Sequence, residues 1–240
     1  MPMQTHVLAF GAHPDDIELS AAATIAKLIA QQKSVAFVDL TRGELGTRGN
    51  ASIRDSESKA ASKQLGILNR INLDLGDGFF EINQTSLLKV IEQIRFFKPE
   101  IIFANAVKDR HPDHGSGGEL VSRAAFLSGL IKIESSLNGV EQKPWRPKAV
   151  YHYIQDNFIE PHFVVDVSGF EEIKMKSIAC YNSQFYDPNS AEPETAISSP
   201  EFMSHIRARM TQMGRYINVK SGEGFTADRP IGIDNPLQFI

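Results

Sequence analysis

The sequence predicts an α/β protein with a doubly wound, mostly parallel sheet that carries helices on both faces. Short apolar runs alternate with longer stretches of helical period through the first 130 residues, the pattern of strands and crossover helices. This alternating order implies a parallel sheet covered on both sides. The length of 240 residues fits one large domain of this class.

Four strand–helix pairs make up this first part of the chain. Each predicted strand is a short apolar run, and each predicted helix repeats apolar residues every three or four positions. Gly66 lies just past the second helix and Pro99 just past the third, as expected for residues that end helices. The predicted strands cover residues 6–10, 34–41, 70–75 and 101–105, and the predicted helices cover 16–32, 52–65, 86–97 and about 118–130.

The pattern changes after residue 139. The elements predicted beyond it are strands at 149–154 and 163–167 and helices at 170–181 and 201–216. The proline-punctuated stretch 187–200 is typical of a long surface loop or lid. We therefore predict a single domain over residues 1–240, with a core at 1–139 and an α+β extension at 140–240 that contributes to the pocket. A domain boundary near residue 140 is the alternative.

Composition excludes several classes of protein. Lys and Arg number 25 against 29 Asp and Glu, a formal charge of −4, whereas nucleic acids and anionic membranes attract basic surfaces. A single cysteine rules out a disulfide framework and a zinc ribbon. No basic, apolar leader opens the chain, and no apolar run approaches the roughly 20 residues of a membrane span. We expect a cytoplasmic protein without a nucleic-acid or membrane partner.

Two polar loops carry the residues that point to chemistry. Residues 12–16 read Ala-His-Pro-Asp-Asp after the first strand, and residues 110–114 read Arg-His-Pro-Asp-His after the fourth. In a doubly wound sheet these two strands can be neighbours at the switch point, so both loops would meet in one crevice. The joint presence of His and Asp in both loops favours a metal site there over two unrelated turns.

The residue types in these loops match a catalytic zinc site. Such sites use three His or carboxylate ligands, which His13, Asp16 and His114 would provide, and keep a fourth position for water. Asp15 is then free to act as general base while that water attacks a carbonyl. A protonated His111 could stabilise the oxyanion and protonate a departing amine.

Other interpretations of the same residues remain open. Asp15 or Asp16 could cap the helix that follows, and the second loop could be a solvated turn. A non-haem Fe(II) oxygenase also uses two His and one carboxylate, although Asp15 has no part in that chemistry. A catalytically inactive sugar-binding protein is the alternative without enzyme activity. A nucleotide-binding dehydrogenase is disfavoured because residues 11–14 lack its glycine fingerprint.

The motifs at residues 13–16 and 111–114, in this order, resemble the LmbE/PIG-L family of zinc-dependent N-deacetylases. The resemblance implies a Rossmann-like scaffold and removal of acetyl from N-acetylglucosamine-type substrates. The positions that it assigns to the metal, Zn²⁺ or Fe²⁺ in its place, are His13, Asp16 and His114. Asp15 matches the general base, and His111 matches the histidine thought to stabilise the tetrahedral intermediate.

Looser segments resemble one branch of the family, the bacillithiol-pathway deacetylases. That branch hydrolyses N-acetylglucosaminyl malate to glucosaminyl malate and acetate, and the resemblance implies a homo-oligomer, often a hexamer. Ala21-Ala22-Ala23 replaces the small Cys/Gly-Gly stretch usual in the family, so we expect different helix packing or pocket width there. The segments that carry this resemblance are residues 17–20, 41–49, Arg54 with Glu57, Arg110, 183–185 and 222–225.

Substrate contacts are predicted at a few further positions. Arg54 matches a family position that contacts sugar hydroxyls, and Asp77, after the third strand, is placed similarly. The alternative for Arg54 is a pair with an acidic residue of its own helix. Arg110 and Arg48 could each bind a malate carboxylate in a bidentate manner, or be ordinary surface arginines.

Overall fold

The computed structural model describes residues 4–235 and Leu237. That part of the chain forms a seven-stranded sheet, a two-stranded hairpin and six α-helices. The strands are β1 (Val7–Gly11), β2 (Val35–Asp39), β3 (Arg70–Asn72), β4 (Ile101–Ala104), β5 (Ser136–Leu137), β6 (Val140–Glu141), β7 (Ala149–Tyr153), β8 (Phe163–Asp166) and β9 (Gly222–Ala227). The helices are α1 (Asp16–Ala30), α2 (Ala51–Leu65), α3 (Gln84–Phe97), α4 (Pro112–Leu127), α5 (Glu171–Ile178) and α6 (Phe202–Tyr216).

The large sheet has the strand order β3-β2-β1-β4-β7-β9-β8. Strands β3, β2, β1, β4 and β7 run parallel, and β9 lies antiparallel between β7 and β8. Val7 of β1 pairs with Val35 of β2 on one side and with Ile101 of β4 on the other. The strand order therefore changes direction at β1, and the prediction of a doubly wound, mostly parallel sheet is confirmed.

Strand β1 shows how both faces of the sheet are covered. Leu8 and Phe10 belong to an apolar cluster with residues of α3 and α4, whereas Val7 and Ala9 belong to a second cluster with residues of α1. Successive side chains of a strand point to opposite faces, so the two clusters lie on opposite sides of the sheet. A strand buried on both faces must be apolar at every position, which explains its continuous apolar sequence.

Helix α4 begins at Pro112, earlier than the predicted start near residue 118. Proline suits the first position of a helix because its missing N–H has no partner there, and His111 occupies the N-cap position. The glycines that favour a loop in the sequence instead let α4 lie close to the end of β4. A Cβ on Gly118 would stand 2.8 Å from the Asn105 carbonyl oxygen. His114 therefore lies in the first turn of a helix.

Strand β9 is missing from the sequence prediction. Its segment contains two glycines, which are depleted in strands. A Cβ on Gly222 would stand 2.5 Å from Val164 Cγ1, and a Cβ on Gly224 would stand 2.8 Å from Met213 Sδ. The glycines thus allow β8 and α6 to pack closely against β9.

Strands β7, β8 and β9 all follow residue 139, and they extend the same sheet as β1–β4. The stretch 187–200 contains no helix or strand, as predicted for a loop. The division of one domain into a core and an extension stays a prediction. Across residues 4–235, none of the helices has the length and apolar character needed to cross a bilayer.

A buried ion network joins the sheet to α1. Arg70 of β3 donates to Asp39 from Nε at 2.7 Å and from Nη2 at 2.8 Å, and its Nη1 lies 2.6 Å from Glu18 Oε1. Glu18 is fully buried in α1, and the Tyr181 hydroxyl donates to it at 3.0 Å. Because buried carboxylates need partners, Arg70 supplies the cation for two of them. The network fixes α1, whose N-terminus carries predicted site residues.

Replacement of Arg70 by Met should lower the free energy of unfolding by about 3–5 kcal/mol, because two buried carboxylates lose their cation. Urea unfolding followed by circular dichroism measures the change. Arg123→Met is the control, since its ion pair with Glu119 is exposed on α4 and should contribute about 0.5 kcal/mol or less. An Arg70→Met protein as stable as the parent would contradict the role of this network.

Candidate active site

The two predicted loops meet at the carboxyl ends of β1 and β4. The first loop connects β1 to α1, and the second leads into α4. The ring centroids of His13 and His111 lie 4.6 Å apart, and those of His13 and His114 lie 5.4 Å apart. Residues separated by about a hundred positions in the sequence are therefore neighbours, because β1 and β4 pair directly.

The Asp16 carboxylate lies at the centre of this group. His114 Nε2 is 3.1 Å from Asp16 Oδ1, and His13 Nδ1 is 3.6 Å from Asp16 Oδ2. Two side-chain amides hold the carboxylate: Asn105 Nδ2 donates to Oδ2 at 2.9 Å, and Gln155 Nε2 donates to Oδ1 at 3.1 Å. The three residues predicted as metal ligands are thus brought together, and their role as ligands stays a prediction.

Acidic side chains hold the other nitrogen of each of these imidazoles. His13 Nε2 lies 3.0 Å from Asp77 Oδ1 and 3.3 Å from Asp113 Oδ2. His114 Nδ1 lies 2.5 Å from Asp109 Oδ2. Histidines that ligate metals commonly donate their second N–H to a carboxylate, which fixes the ring and its tautomer. This arrangement leaves His13 Nδ1 and His114 Nε2 facing the central carboxylate.

The charges of the cluster fit a divalent cation. Burial alone would lower the pKa of His13, but hydrogen bonds to Asp113 and two other carboxylates raise it well above its usual value. Burial also lowers the pKa of His114, while the Asp16 charge raises it, to about 9. Burial would raise the pKa of Asp16, yet the two imidazoles hold it well below its usual value. The cluster therefore favours positive charge, and two imidazoles with one carboxylate form a donor set suited to Zn²⁺.

Within residues 4–235, two sets of three side chains have donor atoms within 4.8 Å of one another, and both include His13. One set adds His111 and His114, and the other adds Asp77 and Asp113. Each set is therefore compact enough to hold an ion. In the second set, both carboxylates contact the nitrogen of His13 that faces away from Asp16, which is the position of carboxylates that orient a ligand histidine.

Asp15 has a different environment from Asp16. It occupies the N-cap position of α1, but its side chain accepts no capping hydrogen bond, so the cap interpretation is wrong for this residue. Its φ of +116° lies in the region that non-glycine residues rarely adopt. Burial raises the pKa of Asp15 to about 7, and the Arg54 charge opposes the shift. The result is a buried carboxylate beside the predicted ligands, at the wall of a cavity.

Arg54 is the partner of Asp15. Its Nη2 lies 2.9 Å from Asp15 Oδ2 and also donates to the Pro14 carbonyl oxygen. The alternative of an ion pair within its own helix is wrong, because Asp55 and Glu57 have other partners. Arg54 lines the cavity as well, and its contact with sugar hydroxyls stays a prediction.

His111 caps α4 with its ring. Its Nδ1 accepts a hydrogen bond from the Asp113 N–H at 3.3 Å, so a neutral ring carries its proton on Nε2. Burial lowers the pKa of His111, and the charges of His13 and His114 lower it further. These effects favour the neutral ring, in which Nε2–H is the donor, and the catalytic role of His111 stays a prediction.

A cavity of about 490 Å³ opens over these residues. The two loops, Arg54 and Asp77 supply one part of its lining, and the region after residue 139 supplies another. The latter includes residues 195–197 and, from α6, Phe202, His205, Ile206 and Arg209. The cavity therefore has a polar end at the imidazoles and an apolar and cationic wall along α6.

The remaining predicted contacts fall into two groups. Arg110 and Asp77 line the cavity, and Arg110 Nε donates to Asp156 at 2.5 Å, so their substrate contacts stay predictions. Arg48 is buried, and it is not among the described residues that line the cavity. The alanines 21–23 are fully buried and likewise absent from the described lining. These alanines therefore do not line the cavity directly, and the effect of their departure from the family pattern stays a prediction.

Sequence reasoning gave no role to four residues that hold the site together, namely Asn105, Asp109, Asp113 and Gln155. Asn105 directly follows β4, and Gln155 lies two residues after β7. Polar residues just past each predicted strand share the carboxyl edge of a parallel sheet, so a search of those positions would find both. Asp113 lies inside the second motif, and Asp109 lies just before it.

Comparison with known proteins identifies the family. The profile described as PIG-L, GlcNAc-PI de-N-acetylase, matches residues 8–125, which include both loops. A Bacillus anthracis protein named probable N-acetyl-alpha-D-glucosaminyl L-malate deacetylase 2 is 30% identical over 201 residues, covering 77% of this chain and 84% of the relative. The chain belongs to the PIG-L/LmbE family of deacetylases.

Two further relatives of this PIG-L chain cover most of its length. The diacetylchitobiose deacetylase of Thermococcus kodakarensis is 28% identical over 189 residues, which cover 75% of this chain and 70% of that protein. The crystal structure of the conserved protein TT1542 from Thermus thermophilus matches with a TM-score of 0.84 at 30% identity, covering 96% of this chain and 97% of that one. The predicted family and fold are thus confirmed.

Proposed function

We propose that this deacetylase is a metal-dependent hydrolase that converts N-acetylglucosaminyl malate to glucosaminyl malate and acetate. The observation that carries the proposal is the position of Asp15: a buried carboxylate, excluded from helix capping, beside the Asp16 carboxylate and its two imidazoles. A general base must lie next to the water that it deprotonates, and this geometry meets that condition.

His13, Asp16 and His114 would hold the metal, Zn²⁺ or Fe²⁺ in its place. Such an ion supplies a water nucleophile at neutral pH and polarises a carbonyl group. Asp109 orients His114, and Asp77 and Asp113 orient His13, through the nitrogens that face away from Asp16. Asn105 and Gln155 fix both oxygens of the central carboxylate.

Asp15 takes a proton from the attacking water and gives it to the amine nitrogen as the amide C–N bond breaks. The products are acetate and a free amino group. Arg54 holds the Asp15 carboxylate in place during both transfers. His111 donates from Nε2 to the oxygen that gains negative charge, a role that needs only the neutral ring. The amine proton is assigned to Asp15 because burial raises the pKa of this carboxyl to about 7, so it can take up and release a proton near neutral pH.

The cavity and the relatives support the choice of substrate. Arg54 and Asp77 line the cavity near the imidazoles, where a sugar ring would lie, and Arg110 lines it with a guanidinium suited to a malate carboxylate. The Bacillus anthracis relative is named for this malate conjugate. The Thermococcus kodakarensis relative is named for diacetylchitobiose, so another N-acetylglucosamine conjugate is the second candidate. We also propose a cytoplasmic homo-oligomer, with a hexamer as the first form to test, on the family resemblance alone.

Asp15→Asn should lower kcat for acetate release by about 10²- to 10⁴-fold, because the amide cannot take the proton. The metal content of the variant should equal that of the parent, since Asp15 is not a predicted ligand. Acetate release and elemental analysis measure the two properties. Asp55→Asn, at a half-buried carboxylate of α2 that pairs with Arg42 and is absent from the described cavity lining, is the control. An Asp15→Asn enzyme with the parent's kcat would show that the base is a different group.

Asp109→Asn should weaken zinc affinity by about 10- to 100-fold, because His114 loses the carboxylate that orients it. Competition with a chromophoric chelator measures this affinity. Asp156→Asn, a carboxylate at the same edge of the sheet that contacts neither imidazole, should bind zinc as the parent does. Equal affinities for parent and Asp109→Asn would argue against His114 as a ligand.

Arg110→Ala should raise KM for N-acetylglucosaminyl malate more than KM for plain N-acetylglucosamine, because only the first carries carboxylates for the guanidinium. Steady-state acetate release with both substrates tests this expectation. Equal changes in the two KM values would remove the carboxylate-binding role of Arg110 and leave the deacetylase proposal standing.

A further inference from the structure

Two arginines from distant parts of the chain meet at one side of the cavity. Arg110 follows β4 and Arg209 lies in α6, and both line the cavity. Both also contact Asp156: Arg110 Nε donates to its carboxylate at 2.5 Å, and Arg209 Nη2 donates to its backbone carbonyl oxygen. The two guanidinium groups therefore contact the same residue, one at its carboxylate and the other at its backbone carbonyl oxygen.

Arg209 has no carboxylate partner in the part of the chain that the structure describes. Its hydrogen bond goes to a neutral carbonyl oxygen, whereas most other arginines here form ion pairs. The residue is half-buried, and the carboxylates of Asp156 and Asp109 act on it only from beyond ion-pair distance, so its partial withdrawal from water is incompletely compensated. Because Arg209 faces the cavity, an anionic group of a bound molecule can supply the missing charge.

Helix α6 carries two arginines, Arg207 and Arg209, and they differ in whether they line the cavity. Phe202, Ile206 and Arg209 recur at helical spacing and line the cavity, so they share one face of the helix. Arg207 is exposed, is absent from the described lining and pairs with Glu172 at 2.7 Å. Arg207 is therefore a matched control on the same helix.

We propose that Arg209 and Arg110 together bind the two carboxylates of a dicarboxylate aglycone, and that Asp156 competes with the substrate for Arg110. This inference rests on the proposed function. Two separate guanidinium groups suit a dianion with two carboxylates, since each can bind one in a bidentate manner. A neutral sugar gains nothing from either arginine, so the pair determines specificity without taking part in the reaction.

The kinetic test compares Arg209→Met with Arg207→Met on N-acetylglucosaminyl malate and on the neutral methyl N-acetylglucosaminide. Arg209→Met should raise KM for the malate conjugate by about 10-fold or more, the loss expected for one charged hydrogen-bonded pair. Its KM for the neutral glycoside and its kcat for both should stay within about 2-fold of the parent. Arg207→Met should match the parent on both. Equal KM changes on the two glycosides would overturn the proposal.

Asp156→Asn tests the competition in the opposite direction. Removal of this carboxylate frees Arg110 and removes like-charge repulsion, so KM for the malate conjugate should fall, with no change for the neutral glycoside. Arg209→Lys should raise KM for the malate conjugate less than Arg209→Met does, because lysine keeps the charge but lacks the planar guanidinium. A rise in KM for Asp156→Asn would show that Asp156 supports the substrate site instead.

Binding of the product separates this inference from the proposed function. Glucosaminyl malate has no acetyl group to lose, so isothermal titration measures its affinity without turnover. Parent and Arg207→Met should bind it about 10-fold or more tightly than Arg209→Met does. Glucosamine 1-phosphate, which also has no acetyl group and carries one phosphate, should be bound no differently by parent and Arg209→Met. Equal losses of affinity for both ligands in Arg209→Met would show that the site binds a single anion, and would overturn the dicarboxylate assignment.

If the parent released no acetate from any glycoside, the proposed function would fail, while these affinities would still decide the role of Arg209.

Discussion

The arrangement of the site depends on one buried carboxylate, that of Asp16. It lies at the first position of α1, where the helix dipole favours negative charge, and it receives hydrogen bonds from Asn105 after β4 and Gln155 after β7. A buried carboxylate without such donors would be costly. The pairing of β1 with β4, and of β4 with β7, brings these donors together. The sheet topology is thus a condition for the chemistry.

The adjacent residues Asp15 and Asp16 show how local surroundings give two side chains of the same type different pKa values. Asp16 lies between two imidazoles, which hold its pKa well below the usual value, although burial opposes them. Burial dominates at Asp15 and raises its pKa to about 7, although Arg54 opposes it. One carboxylate is therefore suited to stay ionised, and the other is suited to exchange a proton. Pairs of groups separated in this way are typical of acid–base sites.

The sequence was sufficient to predict the parts of the site that follow from local pattern. The strands β1 and β4 are apolar runs, and the two His- and Asp-rich loops after them converge because such strands neighbour each other at a switch point. Partners set by tertiary packing were not predictable in this way. Arg54 has two acidic neighbours in its own helix, yet it pairs with Asp15, some 40 positions away.

Glycine caused two of the errors in the predicted elements, the late start of α4 and the missing β9. In a helix or strand, glycine is unfavourable by intrinsic propensity, so the sequence alone assigns such segments to loops. In α4 and β9, however, the glycines permit backbone contacts that a Cβ would block, at Gly118 and Gly222 for example. Close packing outweighs propensity at these positions. Both segments bear on the site, because α4 begins with the motif that carries His114 and β9 supports α6.

Different parts of the molecule hold the central carboxylate and form the cavity wall. The residues that hold the central carboxylate come from the ends of adjacent parallel strands, so they cannot move independently of the sheet. The wall formed by residues 195–197 and α6 supplies none of the residues that hold the central carboxylate, although α6 packs against β8 and β9. Arg48 and Gly49 tie the stretch 187–200 to the loop after β2 through Ser190 and Glu192, without involving any predicted ligand. Substitutions in this wall can therefore change which conjugate fits while the hydrolytic centre stays intact, which is the expected way for one scaffold to serve several N-acetylated sugars.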